Sequence, residues 1–429
     1  MNASTLRSVY PGWWVAGGVS VIMGMVALMS VWAYGIYLAP LQAEFGWSQA
    51  MIGAGFGVTF GISGASSVLV GRLVDRYGPR KVMAVGTVGT ASLYVALSQI
   101  NSLAEFWAVL AVLAFFQVWV FYIPLTSLVT RWFVRRRAAA MGIATSGFGL
   151  GGLVFVPLML VVVSLAGWRE SLVLLALGTV CFNGYFLLRT SNDPNPEVRR
   201  REEVAGGGAL VDKAGVVLVS GARDILRAPA FWLLTCGFSM FFLGQWAFMF
   251  HSLPYFESRG ASTGEAAAIV SAATGLGVVI RLGSGVVIDR IRGREVIAAV
   301  SLVVMSATML LLLLDGSSRA LILFAVLWGL GSGVAPLLQP LLIGKLFGVR
   351  HYATAYGISD GMDTTAIIAG TWLGVALLEI TGTYSMILAL YALAFLAGAV
   401  SLTALALALR RPGGTSVHRT STNWEMIGG

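Results

Sequence analysis

The chain has 429 residues, 57% of them hydrophobic and only 11% charged, with a formal net charge of +9. Soluble domains carry about 25% charged residues, so this composition excludes an ordinary soluble domain and points to a chain dissolved in lipid. A basic surplus can mark a nucleic-acid binder, but the placement of the charges along the chain, described below, excludes that class too.

A run of about 20 apolar residues crosses a bilayer core of about 30 Å. Twelve such runs occur, near 13–38, 50–70, 82–99, 104–129, 138–166, 168–188, 230–252, 264–287, 295–314, 319–343, 353–378 and 385–409. They predict an all-α membrane protein of twelve transmembrane helices in two six-helix bundles. The first run is too long for a signal-peptide core and lacks a small-residue cleavage site, so it is kept as helix one. Ser30, Tyr34 and Tyr37 are spaced to share one face of that helix. Helix two ends in GRLVDRYGPRK (71–81). In helix four, Trp119, Tyr122 and Thr126 share a face, and the Tyr122 hydroxyl at mid-depth needs a partner. Helix five opens with WFVRRRAAAMGIATSGFGLG (132–151), whose glycines let helix backbones approach closely.

The segment 189–229 is rich in Pro, Gly and charge and reads as a cytoplasmic linker, too short for a catalytic domain. The expected organisation is an N-terminal bundle at 1–188, this linker, a C-terminal bundle at 230–409 and a cytoplasmic tail at 410–429. Gln245 and His251 punctuate helix seven, His251 near its outer end, where capping or facing water is the expected role. Helix eight holds LGVVIRLGSGVVIDR (276–290), with Arg281 alone among apolar residues. Ser271, Thr274, Gly277 and Ser284 are spaced three or four apart with it, so a small polar stripe is expected to line a cavity. Gln339 is an isolated amide in helix ten. Helix eleven carries Asp360 and Asp363, which share a face with Gly357 and Thr364. At 1.5 Å per residue, Asp360, Asp363 and Arg281 lie about 10, 15 and 9 Å from the same membrane face, so a charge pair across helices eight and eleven is possible.

Sorting the charges sets topology. The N-terminus, the even-to-odd loops and the C-terminal tail hold 24 Lys/Arg and 10 Asp/Glu, while the opposite loops hold 3 and 7. The basic side faces the cytoplasm under the positive-inside rule, with both termini there and the chain multi-pass in the cell (inner) membrane. Its Lys and Arg face anionic lipid. Cys181 and Cys236 lie in apolar runs with no metal-ligand spacing, and no nucleophile–base–orienter set appears, so neither a metal, a cofactor nor an enzyme is expected. No obligate protein partner is evident.

The halves repeat. At a shift of 214, Gly71, Asp75 and Arg76 fall on Gly285, Asp289 and Arg290, and Pro40, Gly46 and Ser48 fall on Pro254, Gly260 and Ser262. At a shift of 215, AAAMGIATSG (138–147) falls on ATAYGISDGM (353–362). Parallel six-helix repeats with a site between them are a transporter architecture.

The loop after helix two, with Gly71, Leu73, Asp75, Arg76, Gly78, Arg80 and Lys81, resembles the signature loop of the major facilitator superfamily. The helix-five motif, HSLPYFESRG (251–260) and WGLGSGVAPL (328–337) are similar to the monocarboxylate porter family and to oxalate–formate exchangers. The resemblance implies that Arg281 takes the place of the helix-eight arginine that holds a substrate carboxylate. Gly277 stands where several animal members have an acid, helix one has no lysine, and Asp363 falls near the second cation of the oxalate exchangers. One carboxylate is therefore expected rather than two.

The expectation is a secondary transporter of a small organic anion with proton coupling. Arg281, Tyr122, Tyr34 and Gln339 are the substrate candidates, and Asp360 and Asp363 the proton carriers. Gly71, Asp75, Arg76, Asp289 and Arg290 are the candidate gating set. In the empty carrier Arg281 is expected to pair with Asp360 or Asp363, and substrate to displace the Asp, which then takes up a proton. The plainer alternative makes that pair purely structural, and a rival reading is a proton-driven exporter of a cationic or neutral compound.

Overall fold

A computed structural model describes residues 10–197, 221–291, 293–314 and 318–410; the greater part of the expected linker, 198–220, and the tail 411–429 lie outside the described residues. The helices in the N-terminal half are α1 Gly12–Phe45, α2 Gln49–Tyr77, α3 Pro79–Leu97, α4 Leu103–Trp132, α5 Arg137–Ala166 and α6 Trp168–Arg189. A short helix, Ala222–Arg227, precedes the C-terminal half. There follow α7 Pro229–Ser258, α8 Thr263–Ile288, α9 Arg294–Leu314, α10 Ser318–Phe347, α11 Tyr352–Thr381 and α12 Ser385–Arg410. Apart from α3, each is long and apolar enough to cross a bilayer by length and composition. Leu165, Leu188 and Ile380 are exposed, as lipid-facing helix surfaces allow. Cys181 and Cys236 are exposed as well.

The sequence repeat is a structural repeat. Pro40 and Pro254 lie inside α1 and α7. Gly46 and Gly260 then turn the chain in the left-handed region, at φ 67° and 90°. Ser48 and Ser262 cap α2 and α8, each accepting from the backbone N–H three residues on, and Ser262 completes a capping box with Glu265.

Two departures from regular helix matter for the site. Leu28–Trp32 in α1 and Gly151–Phe155 in α5 are π-helical, and a Cβ on Gly152 would meet the Trp32 ring at 2.9 Å. A π turn shifts the facing of everything beyond it.

The two halves meet along α2–α11 and α5–α8. A Cβ on Gly71 would lie 2.2 Å from the Ala353 carbonyl oxygen, and one on Gly285 2.6 Å from that of Ala138, so only glycine permits these approaches. The seams then part. On α2 a Cβ at Gly64 would still touch Thr364 at 2.8 Å, whereas one at Gly57 would meet nothing within 4 Å. On α8, Gly285 is tight and Gly275 is open. The halves are thus closed at the face carrying the α2–α3 and α8–α9 loops, called here the basic face, and diverge toward the other.

Candidate functional site

The closed end is held by a symmetric pair of carboxylates. Asp75 accepts from the Ala353 and Thr354 backbone N–H groups at 3.1 and 2.7 Å, capping the first turn of α11. Asp289 accepts from the Ala138 and Ala139 N–H groups at 2.8 and 2.9 Å, capping α5. Each half therefore places an anion on a helix N-terminus of the other, where free N–H groups and the helix dipole favour it. Burial pushes the Asp289 carboxyl up from its ordinary value, while the two amide donors and Arg294, 3.7 Å away, oppose that. Gly78 explains the rest of the loop: its φ of 85° joins α2 to α3, with Pro79 starting the new helix. Arg76 lies over the Tyr77 ring, and both Arg76 and Arg290 are exposed, so of the gating candidates Gly71, Asp75 and Asp289 sit in the seam and the two arginines do not.

Beyond the latch, between the halves, is a cavity of about 190 Å³. Tyr122, Arg281, Asp360 and Asp363 all line it, as does Ser30. The expected pairing of Arg281 with an acid is not what the structure has. Among the described residues no carboxylate lies within 4.0 Å of its guanidinium, which donates instead to three backbone carbonyls. These are Gly333 from Nε at 3.3 Å, Ser332 from Nη2 at 2.9 Å and Thr145 from Nη1 at 3.2 Å. The reason lies in α10. Pro336 has no N–H to bond the carbonyl four residues back, which is Ser332, so that acceptor is left for the arginine. Gly277 lets α10 come close enough, since a Cβ there would meet the Ser332 hydroxyl at 3.1 Å. Thr145 belongs to α5, so its bond to Arg281 crosses between halves.

The two acids differ in what holds them. Asp363 is buried and accepts from Ser239 of α7 at 2.7 Å and from Gln339 of α10 at 2.6 Å, all within the C-terminal half. Gln339 also donates to Ser359 and accepts from Tyr356. Gln339 is fully buried, and its position is a correction: it supports Asp363 from behind and does not line the cavity. Asp360 accepts from Ser67 of α2 at 2.6 Å, so it too reaches across the seam. The Tyr122 ring stacks on Tyr356 from the opposite half, centroids 5.7 Å apart.

Tyr34 is a second correction. It packs edge-on to Phe56 and does not line the cavity, and Tyr37 is buried in its own bundle against Ser171. The π turn at 28–32 rotates both away from the face that Ser30 keeps. His251 is buried, not at a water-facing cap, beside Gly374 and Tyr391. Ser67, Thr145, Ser239 and Tyr356 were not singled out by sequence; only the Ser332–Pro336 spacing carried a readable signal. Among the described residues no group of three His, Cys, Asp or Glu is placed to hold a metal.

The family model described as Major Facilitator Superfamily matches residues 20–341. The chain is 25% identical over 351 residues to the oxalate:formate antiporter of Oxalobacter formigenes, covering 81% of this chain and 80% of that one. It is 23% identical over 360 residues to monocarboxylate transporter 13 of Bos taurus, covering 82% and 80%. The crystal structure of the human organic anion transporter MFSD10 superposes with a TM-score of 0.69 at 16% identity, covering 92% of this chain and 100% of that one.

Proposed function

This chain belongs to the Major Facilitator Superfamily, and from that premise we propose that it carries a small organic anion with one carboxylate, coupled to a proton, by alternating access. It is a multi-pass membrane transporter and not an enzyme. The similarity to an oxalate:formate antiporter and a monocarboxylate transporter supports the anion reading. The observation that carries it is Arg281: a cation at the floor of a central cavity with no acid within 4.0 Å among the described residues. Carbonyls accept from three of its five N–H groups and do not neutralise it, so an incoming carboxylate brings the missing charge and a bidentate geometry.

In this reading the basic face is cytoplasmic, and the structure is closed inward and divergent outward. The carboxylate takes the guanidinium from the Thr145 carbonyl, removing one bond between halves. The bound anion then adds like charge beside Asp360 and Asp363, and a proton restores neutrality. Asp360 is the better carrier, because Ser67, its one donor among the described residues, sits on the half that moves away, whereas Asp363 is held by Ser239 and Gln339 of its own half. The rival, export of a cation bound by the acids, is opposed by the arginine lining the same cavity.

The test is uptake of labelled acetate, lactate and benzoate into proteoliposomes with and without a pH gradient. The wild type accumulates at least one of them when the gradient is imposed, Arg281→Gln loses nearly all uptake, and Asp360→Asn exchanges anion but does not accumulate it. Undiminished accumulation by Arg281→Gln, or accumulation of amines instead of acids, overturns the proposal.

A further inference from the structure

The cavity is built in layers. At 1.5 Å per residue, Arg281 is about 10 Å from the basic end of α8 at Ile288, and Asp360 about 12 Å from that of α11 at Tyr352. On α7, counted from Pro229 at the same rise, Phe242, Gln245 and Trp246 lie about 20, 24 and 25 Å up. Arg281 and Asp360 thus occupy the floor, and Asp363, counted from Tyr352 at the same rise, lies about 16 Å up. Level with Asp363 and above it stands an aromatic wall of Phe121, Phe148, Phe242 and Trp246. Phe148 of the N-terminal half meets Trp246 of the C-terminal half edge-on, centroids 5.6 Å apart, and Phe121 at 6.4 Å. At the upper level the Gln245 side-chain oxygen is buried without a hydrogen-bond partner.

We infer that the cavity selects an aryl monocarboxylate bearing a hydroxyl remote from the carboxylate, in the manner of 4-hydroxybenzoate, over acetate- or oxalate-sized anions. The assignment rests on the reading that Arg281 holds the carboxylate. Size supports it. An apolar cavity of about 150 Å³ accommodates benzene, and one water takes about 30 Å³. The 190 Å³ here therefore fits a ring plus one small polar group. A two- or three-carbon acid seated on Arg281 would leave ring-sized space against Phe and Trp faces to be filled with water, which wets apolar surface at a cost. An aryl ring fills that space with offset or edge contacts. A second carboxylate is disfavoured because the other charges lining the cavity, Asp360 and Asp363, are acids. The Gln245 oxygen accepts only, so it calls for a donor at the far end of the ligand, and a phenol hydroxyl supplies one.

The experiment is competition by 4-hydroxybenzoate, benzoate, phenylacetate, acetate and oxalate, with 4-hydroxybenzyl alcohol as the uncharged control, against uptake of labelled benzoate. Thermal stabilisation of the purified protein by each compound runs in parallel. Aryl acids are expected to bind at least tenfold more tightly than acetate or oxalate, and 4-hydroxybenzoate about threefold to tenfold more tightly than benzoate. Gln245→Leu erases only the hydroxyl advantage. Trp246→Ala weakens aryl acids about threefold to tenfold and leaves acetate unchanged; Trp246→Leu serves if the truncation fails to fold. Acetate or oxalate binding as tightly as the aryl acids sinks this inference while the carboxylate reading stands. Stabilisation by the uncharged alcohol alone, with no acid competing, sinks the carboxylate reading itself.

Discussion

Replacing Asp289 and Asp75 by Asn tests the latch at the basic end. The substitution keeps shape but removes the charge and one of two acceptor oxygens, leaving one helix N–H of each pair facing an amide. A hydrogen bond to a charged group contributes about 1.5–3 kcal/mol against about 0.5–1.5 for a neutral one. The Asp289 side chain is only 11% exposed, so solvent screens it little. With bonds of 2.8 and 2.9 Å lost or weakened, each substitution costs the closed state about 2 kcal/mol, or about 30-fold in the closed-to-open ratio. The two latches sit on different seams and share no partner, so the double variant shifts the ratio by close to a thousandfold. Spin labels at Lys81→Cys and Arg350→Cys, both exposed, report the separation of the halves at that face once Cys181 and Cys236 are replaced by Ser. The double variant is expected to convert a short-distance population into a long one. An unchanged distance distribution would refute the assignment of these carboxylates as the latch.

Three further outcomes follow from the same contacts. Pro336→Ala restores an N–H to the Ser332 carbonyl and removes an acceptor from Arg281; the apparent KM for benzoate should change severalfold while expression and melting temperature hold. Ser67→Ala deletes the 2.6 Å bond to Asp360 across the seam, and should raise the open population at the basic face about fivefold to tenfold by the same spin-label readout. Gln339→Leu strips a donor from buried Asp363 and leaves Ser359 and Tyr356 without their amide partner. A loss of about 2–3 kcal/mol in stability is expected by thermal unfolding, larger than for Ser239→Ala.

The fold was legible because lipid imposes a coarse rule: apolar runs of fixed length, sorted by charge at their ends. The latch was legible in part. Its acids, Asp75 and Asp289, stood out through one repeat and the positions that donate to them, 138–139 and 353–354, through another. Sequence did not reveal that one repeat grips the other, because the partners are backbone N–H groups with no side-chain signature. Arg281 was visible as a lone charge in an apolar run. Its partners were not, since carbonyls look alike in every sequence and only Pro336 betrays a vacant one. Periodicity placed Ser30, Tyr34 and Tyr37 on a single face, and the π turn at 28–32 divides them. Gln339 was visible as a polar residue in a helix, but polarity alone does not tell a cavity wall from a support behind it.

In the proposed cycle the Arg281 guanidinium leaves its carbonyls for a carboxylate. A structure of the protein saturated with 4-hydroxybenzoate measures this directly. Both carboxylate oxygens are expected about 2.7–2.9 Å from Arg281 nitrogens, with the bond to the Thr145 carbonyl broken. An occupied cavity in which Arg281 still holds Thr145, Ser332 and Gly333, with the carboxylate elsewhere, would contradict it.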